Sequence, residues 1–219
     1  MPALTVHHLE RSRSQRLLWL LEELGLEYAM VTYPRTAEGR APRELRAIHP
    51  LGKSPVLAHG DVVLAESGAV VEYVLDELAD GRMRPAPGTE AHRRYRFYLH
   101  FAEGSMMAPL LVKLLFSKLR GAVPLLGNVI ANKVDGAFTN AEIRSHLGYV
   151  EADLEGREWL VGDEPTGADV MMSYPLQAAI ERGNLGEPFP RVSAYLERIA
   201  ARPAYQRAVE RGGPFEIPG

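Results

Sequence analysis

The chain contains no cysteine. That absence excludes disulfides, thiolate metal sites and any mechanism with a protein thiol as nucleophile. If the chemistry involves sulfur, the sulfur arrives on a ligand. An uninterrupted run of about eighteen apolar residues, the length a bilayer-crossing helix needs, is also missing, so no membrane span is expected. Neither sign of charge dominates, since 25 Lys and Arg against 28 Asp and Glu leave a net charge of -3. Bulk electrostatics therefore gives no reason to expect nucleic acid or an anionic membrane as partner. The first residues, MPALTVHHLERSRSQR, lack the apolar core and small-residue cleavage site of a signal peptide. A cytoplasmic protein is expected. His7 and His8 are adjacent and would face opposite sides of a strand, and the other histidines lack ligand spacing, so no metal site is expected.

What is present is an ordinary globular composition, with 46% apolar residues in 219. The first eighty residues alternate strand and helix signals. Leu4 to Leu9 is a short extended run. Leu17, Leu20, Leu21 and Leu24 then recur at i, i+3, i+4 and i+7, with Gly25 where a helix C-terminus favours glycine. Glu27 to Tyr33 reads as a strand, and Pro42 to Ile48 as a short helix stopped before Pro50. Val56–Ala58 and Val62–Ala65 form a hairpin across His59, Gly60 and Asp61. Ser67 to Ala79 is a helix with Val70, Val71, Val74, Leu75 and Leu78 inward. The order is βαβαββα, and parallel pairing of the first two strands requires a crossover connection.

Residues 81–88, GRMRPAPG, read as a linker. Beyond them strand signals nearly vanish. Thr89 to Phe116 reads as one long helix that Gly104 and Pro109 could bend. Helical patterns continue over Ala122–Arg144 and Ile143–Leu154. Thr166 and Asp169 form a near capping box that opens another helix, a structural role. The last clear helix runs from Pro190 to Ala201. The expected domains are 1–80 (α/β) and 89–219 (all helical).

The most informative stretch is LGKSPVLAHGDVVLAESGA, Leu51 to Ala69. A Ser-Pro step enters a strand, and an acid-serine pair opens a helix soon after. Backbone hydrogen-bonding groups and an anion site thus lie close together, equipment for holding a small acidic peptide extended. Taken with SRSQRLLWLLEELGLEY, RAPRELRAIHPLGKSPVL, FAEGSMMAPLL and GADVMMSYPLQ, this stretch resembles the glutathione transferases. The likeness is to the fungal-type and bacterial serine-using members related to the theta and phi classes, and it covers both domains.

The resemblance implies a thioredoxin-like N-terminal domain that binds glutathione as cosubstrate. It also implies a helical domain for a small hydrophobic electrophile, a role in detoxification, and a homodimer. Pro55 would follow a cis peptide bond and present the Ser54 backbone to the tripeptide. Glu66 and Ser67 would hold the γ-glutamyl end, although Ser67 also reads simply as an N-cap. Lys53 and Arg40 would lie near the glycyl carboxylate, or be solvated surface charge. Tyr98, Glu103, Met106 and Met107, beside Tyr95, would line the electrophile pocket; such a stripe also reads as core.

Ser12 would be the catalytic group, donating a hydrogen bond to the glutathione sulfur, whereas Ser12 or Ser14 could instead only cap the first helix. Arg11 stands where relatives often carry an uncharged polar or thiol residue, and a cation there could itself favour a thiolate. Lowering a thiol pKa from about 8.5 by roughly two units needs about 2.7 kcal/mol. One hydrogen bond to a charged sulfur supplies about 1.5–3 kcal/mol, and a helix N-terminus about 0.3–1 kcal/mol. The alternatives on the same fold are a glutathione-dependent peroxidase, isomerase or dehalogenase, and a non-catalytic glutathione-binding regulatory protein.

Overall fold

The computed structural model describes residues 4–183 and 188–214. It divides into two compact units: Met1–His92 with Ile199–Pro218, and Arg93–Arg198.

The first unit follows the expected βαβαββα order, as β1 (Leu4–Leu9), α1 (Gln15–Leu24), β2 (Ala29–Tyr33), α2 (Leu45–Ile48), β3 (Val56–His59), β4 (Val62–Ala65) and α3 (Ser67–Glu77). The strands form one sheet in the order β2-β1-β3-β4. β1 pairs parallel with β2 (Val6 opposite Met30) and antiparallel with β3 (Val6 opposite Leu57), and β3 closes the hairpin with β4. β1 is central, so five of its six residues are buried, while the edge strands β2 and β4 stay partly exposed. Gly25 ends α1 in the left-handed region at φ 65°, its N–H returning to the Glu22 and Leu21 carbonyls. The helix expected over Pro42–Ile48 is shorter in the structure. Residues 42–44 form a turn, and only Leu45 of the element is buried.

The second unit holds most of α4 (Glu90–Phe101) and of α9 (Pro190–Ala200), and between them α5 (Met107–Ala122), α6 (Pro124–Val134), α7 (Asn140–Asp153) and α8 (Gly167–Gly183). The single helix expected over 89–116 is instead α4 and α5 joined by a π-helical turn at Ala102–Met106. Pro109 has no N–H for the ladder, and the extra residue in a wider turn just before it relieves that mismatch. A second π-helical turn, Asp135–Thr139, joins α6 to α7. By length and composition alone the 90–122 stretch could cross a membrane. The stretch is not an uninterrupted apolar run, because Lys113 and Lys118 break it.

At the start of α8, the Asp169 carboxylate accepts from the Thr166 N–H (2.7 Å) and hydroxyl (2.9 Å), closing the anticipated box. Its other oxygen accepts from the Leu160 N–H (3.0 Å) and the Tyr195 hydroxyl (2.9 Å). One buried acid thereby fixes a loop, a helix start and α9.

A helix beyond the last one legible in the sequence, α10 (Pro203–Gly212), belongs to the first unit and packs on α1. Arg202 is extended and Pro203 starts the helix, as proline does at a first helical position. Trp19 meets Tyr205 edge-on at 5.6 Å. Arg207 and Arg211 both reach Glu22 at 2.9 Å, and Arg202 clamps Glu23. Residues 199–214 thus group with the first unit.

Burial pushes the Glu22 carboxyl up. Hydrogen bonds from Arg207, Arg211 and Tyr28 outweigh that and hold it below the usual carboxylate range. Glu23 behaves alike through Arg202 and Trp19. A depressed folded pKa gives stability that is fully present above the unfolded value, about 4.3, and is lost as pH falls through the folded value. Arg207 and Arg211 are about half exposed and Arg202 is partly exposed, so each pair is worth at most about 1 kcal/mol. Glu22→Gln should melt below the wild type at neutral pH, with the gap closing as pH falls to about 3. A gap independent of pH in thermal melts would show that these pairs do not latch α10.

Candidate functional site

Three segments of the first unit meet at the C-terminal end of β1. The Ser54–Pro55 peptide is cis. Ser54 is sewn to β1 by its side chain, whose hydroxyl donates to the His7 carbonyl (3.0 Å) and accepts from the Leu9 N–H (3.2 Å). Pro55 is buried and Lys53 exposed.

Between β1 and α1 the chain turns through Arg11, a non-glycine residue at φ 50°. Arg35 holds that turn, donating to the carbonyls of Glu10 (3.0 Å), Arg11 (2.7 Å) and Gly39 (2.9 Å). Sequence inspection missed Arg35, because three backbone carbonyls leave no pattern in a sequence. Arg11 itself is exposed.

Ser12 and Ser14 follow, both buried, with hydroxyls 2.8 Å apart. Ser14 occupies the position before α1, yet its side chain caps nothing there. Its hydroxyl lies 2.8 Å from His8 Nδ1. His8 Nε2 in turn lies 2.9 Å from the Gly212 carbonyl of α10. Burial lowers the His8 pKa, while the Gly212 hydrogen bond and the field of Glu10 act in the opposite direction. His7, on the other face of β1, meets the Tyr33 hydroxyl at 2.9 Å.

The third segment is the start of α3. Glu66 is exposed, at φ 73° and ψ 121°, and takes the N-cap position. Ser67 is therefore the first helical residue and not the N-cap that the sequence suggested. Its hydroxyl accepts a 2.8 Å hydrogen bond from the buried guanidinium of Arg16 on α1. A guanidinium beside a helix N-terminus makes a place for an anion. Arg16 was not singled out in the sequence, although it lies four residues beyond Ser12, one turn further along the same face.

Arg40 lies in the loop between β2 and α2. Its backbone closes a turn with Thr36, and its side chain is exposed. In the second unit, Tyr98 is buried and its hydroxyl donates to Asp153, which also takes Arg94. Met106 is buried within the π-helical turn, while Glu103 and Met107 are partly exposed.

Residues 1–76 match the N-terminal domain of glutathione S-transferases, and residues 137–203 match the C-terminal domain. Glutathione S-transferase 1 of Saccharomyces cerevisiae is 35% identical over 96% of both chains. A glutathione S-transferase from Actinobacillus pleuropneumoniae shares 39% identity at a TM-score of 0.83, covering 97% of this chain and 94% of that one. The theta class enzyme of Xanthomonas axonopodis pv. citri, solved with glutathione bound, shares the fold at 24% identity and a TM-score of 0.77, over 99% of this chain and 100% of that one. With two domains matched in order and this identity along nearly the whole length, the chain belongs to the glutathione S-transferases.

Proposed function

We propose that this protein conjugates reduced glutathione to small apolar electrophiles, with Ser12 as the hydroxyl that favours the thiolate. The observation that carries this is the meeting of the Ser12 turn, the cis Ser54–Pro55 step and the Ser67 helix start at one end of β1. In this reading the Ser54 backbone pairs with the cysteinyl part of the tripeptide. Glu66 takes the γ-glutamyl ammonium, and Ser67 with the α3 N-terminus takes its carboxylate. Lys53 and Arg40 reach the glycyl carboxylate. Glu103 and Met107 have surface to offer an electrophile, with Tyr98 and Met106 supporting the wall behind them.

Assayed with a chloronitrobenzene, the wild type should form the glutathione conjugate. Ser12→Ala should lose at least about tenfold in kcat, since one charge-assisted hydrogen bond is worth about 1.5–3 kcal/mol. A wild type that neither binds glutathione nor turns over any electrophile would refute the assignment. Binding without turnover on a panel of halides, peroxides and isomerisable substrates would favour the regulatory reading.

Arg16 orients Ser67, so Arg16→Met should raise the KM for glutathione about tenfold with little change in kcat. An unchanged KM would restrict Arg16 to holding the fold.

The same reading includes a homodimer in the cytoplasm. The exposed aromatic side chains of Phe97 and Tyr149, which touch one another across α4 and α7, supply apolar surface for such an association. Light scattering at low protein concentration should give twice the chain mass of 24.2 kDa. A single chain mass would remove the dimer.

A further inference from the structure

The hydrogen bonds behind Ser12 have a direction. Gly212 offers a carbonyl, which only accepts, so His8 Nε2 carries the proton in the 2.9 Å contact. In the neutral ring Nδ1 is then a lone pair. Ser14 Oγ has two acceptors in reach, His8 Nδ1 at 2.8 Å and the Leu9 carbonyl at 3.3 Å, and the shorter contact takes its one hydroxyl proton. Ser14 Oγ is left as an acceptor, so Ser12 donates to Ser14 at 2.8 Å. Ser12 Oγ also accepts from the Ser14 N–H at 3.2 Å. With His8 neutral, Ser12 has no proton to offer a thiolate unless it releases Ser14. It has a lone pair to offer a thiol.

We propose that His8 is the proton acceptor for the bound thiol, reached through Ser12 and Ser14. The glutathione S–H donates to Ser12 Oγ and its proton passes to that oxygen. The Ser12 hydroxyl proton passes to Ser14 Oγ, and the Ser14 hydroxyl proton to His8 Nδ1. The sulfur keeps its electron pair as thiolate, and the imidazole becomes imidazolium, still donating from Nε2 to Gly212. All three contacts reverse, so Ser12 ends as the donor to the thiolate. No proton leaves the site, and no other reactant is needed. This rests on the reading of Ser12 as the neighbour of the glutathione sulfur.

The surroundings permit the charge. Glu10, just past the end of β1, favours the imidazolium. On the α1 side Gln15 and Leu18 are neutral, and α10 presents the Gly212 backbone. Burial disfavours a lone cation. The thiolate at the other end of the relay compensates it.

Nitrogen-15 NMR of histidine-labelled wild-type protein tests the relay beside the ultraviolet absorbance of the thiolate. Free protein should show His8 as the neutral Nε2–H tautomer. Glutathione near pH 7 should convert it to imidazolium as thiolate absorbance rises. S-methylglutathione, which has no S–H, should bind and leave His8 neutral. Ser14→Ala should abolish the imidazolium signal and lower kcat about tenfold, with the KM for glutathione little changed. Bound glutathione that leaves His8 neutral, with or without thiolate absorbance, would overturn the relay alone. If neither ligand perturbs the protein, the glutathione site falls and the relay with it.

Discussion

Helix α1 has no face for water, and the first unit is organised around that constraint. Gln15 to Leu21 are all buried, and Leu17, Leu18, Trp19, Leu20 and Leu21 almost completely so. A stretch apolar on every side, as Leu17 to Leu21 is, must be enclosed on every side. The sheet and α3 cover part of it. The remainder, including Trp19, is covered by α10, which the chain supplies from its far end. Fully burying one such large side chain contributes about 1.5–3 kcal/mol, so losing α10 would expose several of them together. The arginine pairs to Glu22 and Glu23 set the register of that contact. They add less energy than the burial does, because their arginines remain partly in solvent.

The candidate site depends on this enclosure directly. Ser12, Ser14 and Arg16 all lie at the entrance of α1, so the packing that fixes the helix fixes their directions as well. Gly212 shows how closely the two are linked. A Cβ there would come within 2.3 Å of Leu18 Cδ1 and 2.6 Å of Gln15 Oε1, so glycine lets α10 approach α1. The same residue presents the carbonyl that sets the tautomer of His8. The Gln15 side chain donates to the Ala208 carbonyl at 2.9 Å, adding a second polar link across the contact. Packing and proton position at Ser12 therefore share one support.

Much of this was legible in the sequence, for physical reasons that differ by element. The βαβαββα order follows from short β-branched runs bounded by glycine and proline, signals that act locally. The cis step at Ser54–Pro55 and the acid-serine pair came through resemblance, because their spacing is specific. α10 was not legible, since Ala204 and Ala208 bury too little surface to mark a helical stripe. A signal did exist at α1, where RLLWLL is apolar all round and asks for a second covering element. The roles of Arg35 and Arg16 were hidden because their partners lie 24 and 51 residues away. Ser67 was displaced by one position because Glu66 accepts a positive φ, which sequence preference assigns to glycine or asparagine.

The missing cysteine takes on a sharper meaning against this geometry. With no protein thiol, the only sulfur nucleophile is the cosubstrate's, and it must be ionised where it binds. Lowering its pKa by two units takes about 2.7 kcal/mol. A single hydrogen bond from Ser12 can supply most of that, but only when its one proton points outward. In the proposed resting arrangement that proton points inward, toward Ser14 and His8. A serine with one fixed acceptor behind it is a weaker donor than one standing alone, unless the acceptor can be filled. His8 is the group in the chain able to be filled, because Ser14 and Ser12 each hold one proton and exchange it without net gain. In the proposed relay, the competence of Ser12 is thus a property of four residues drawn from β1, the turn after it and α10.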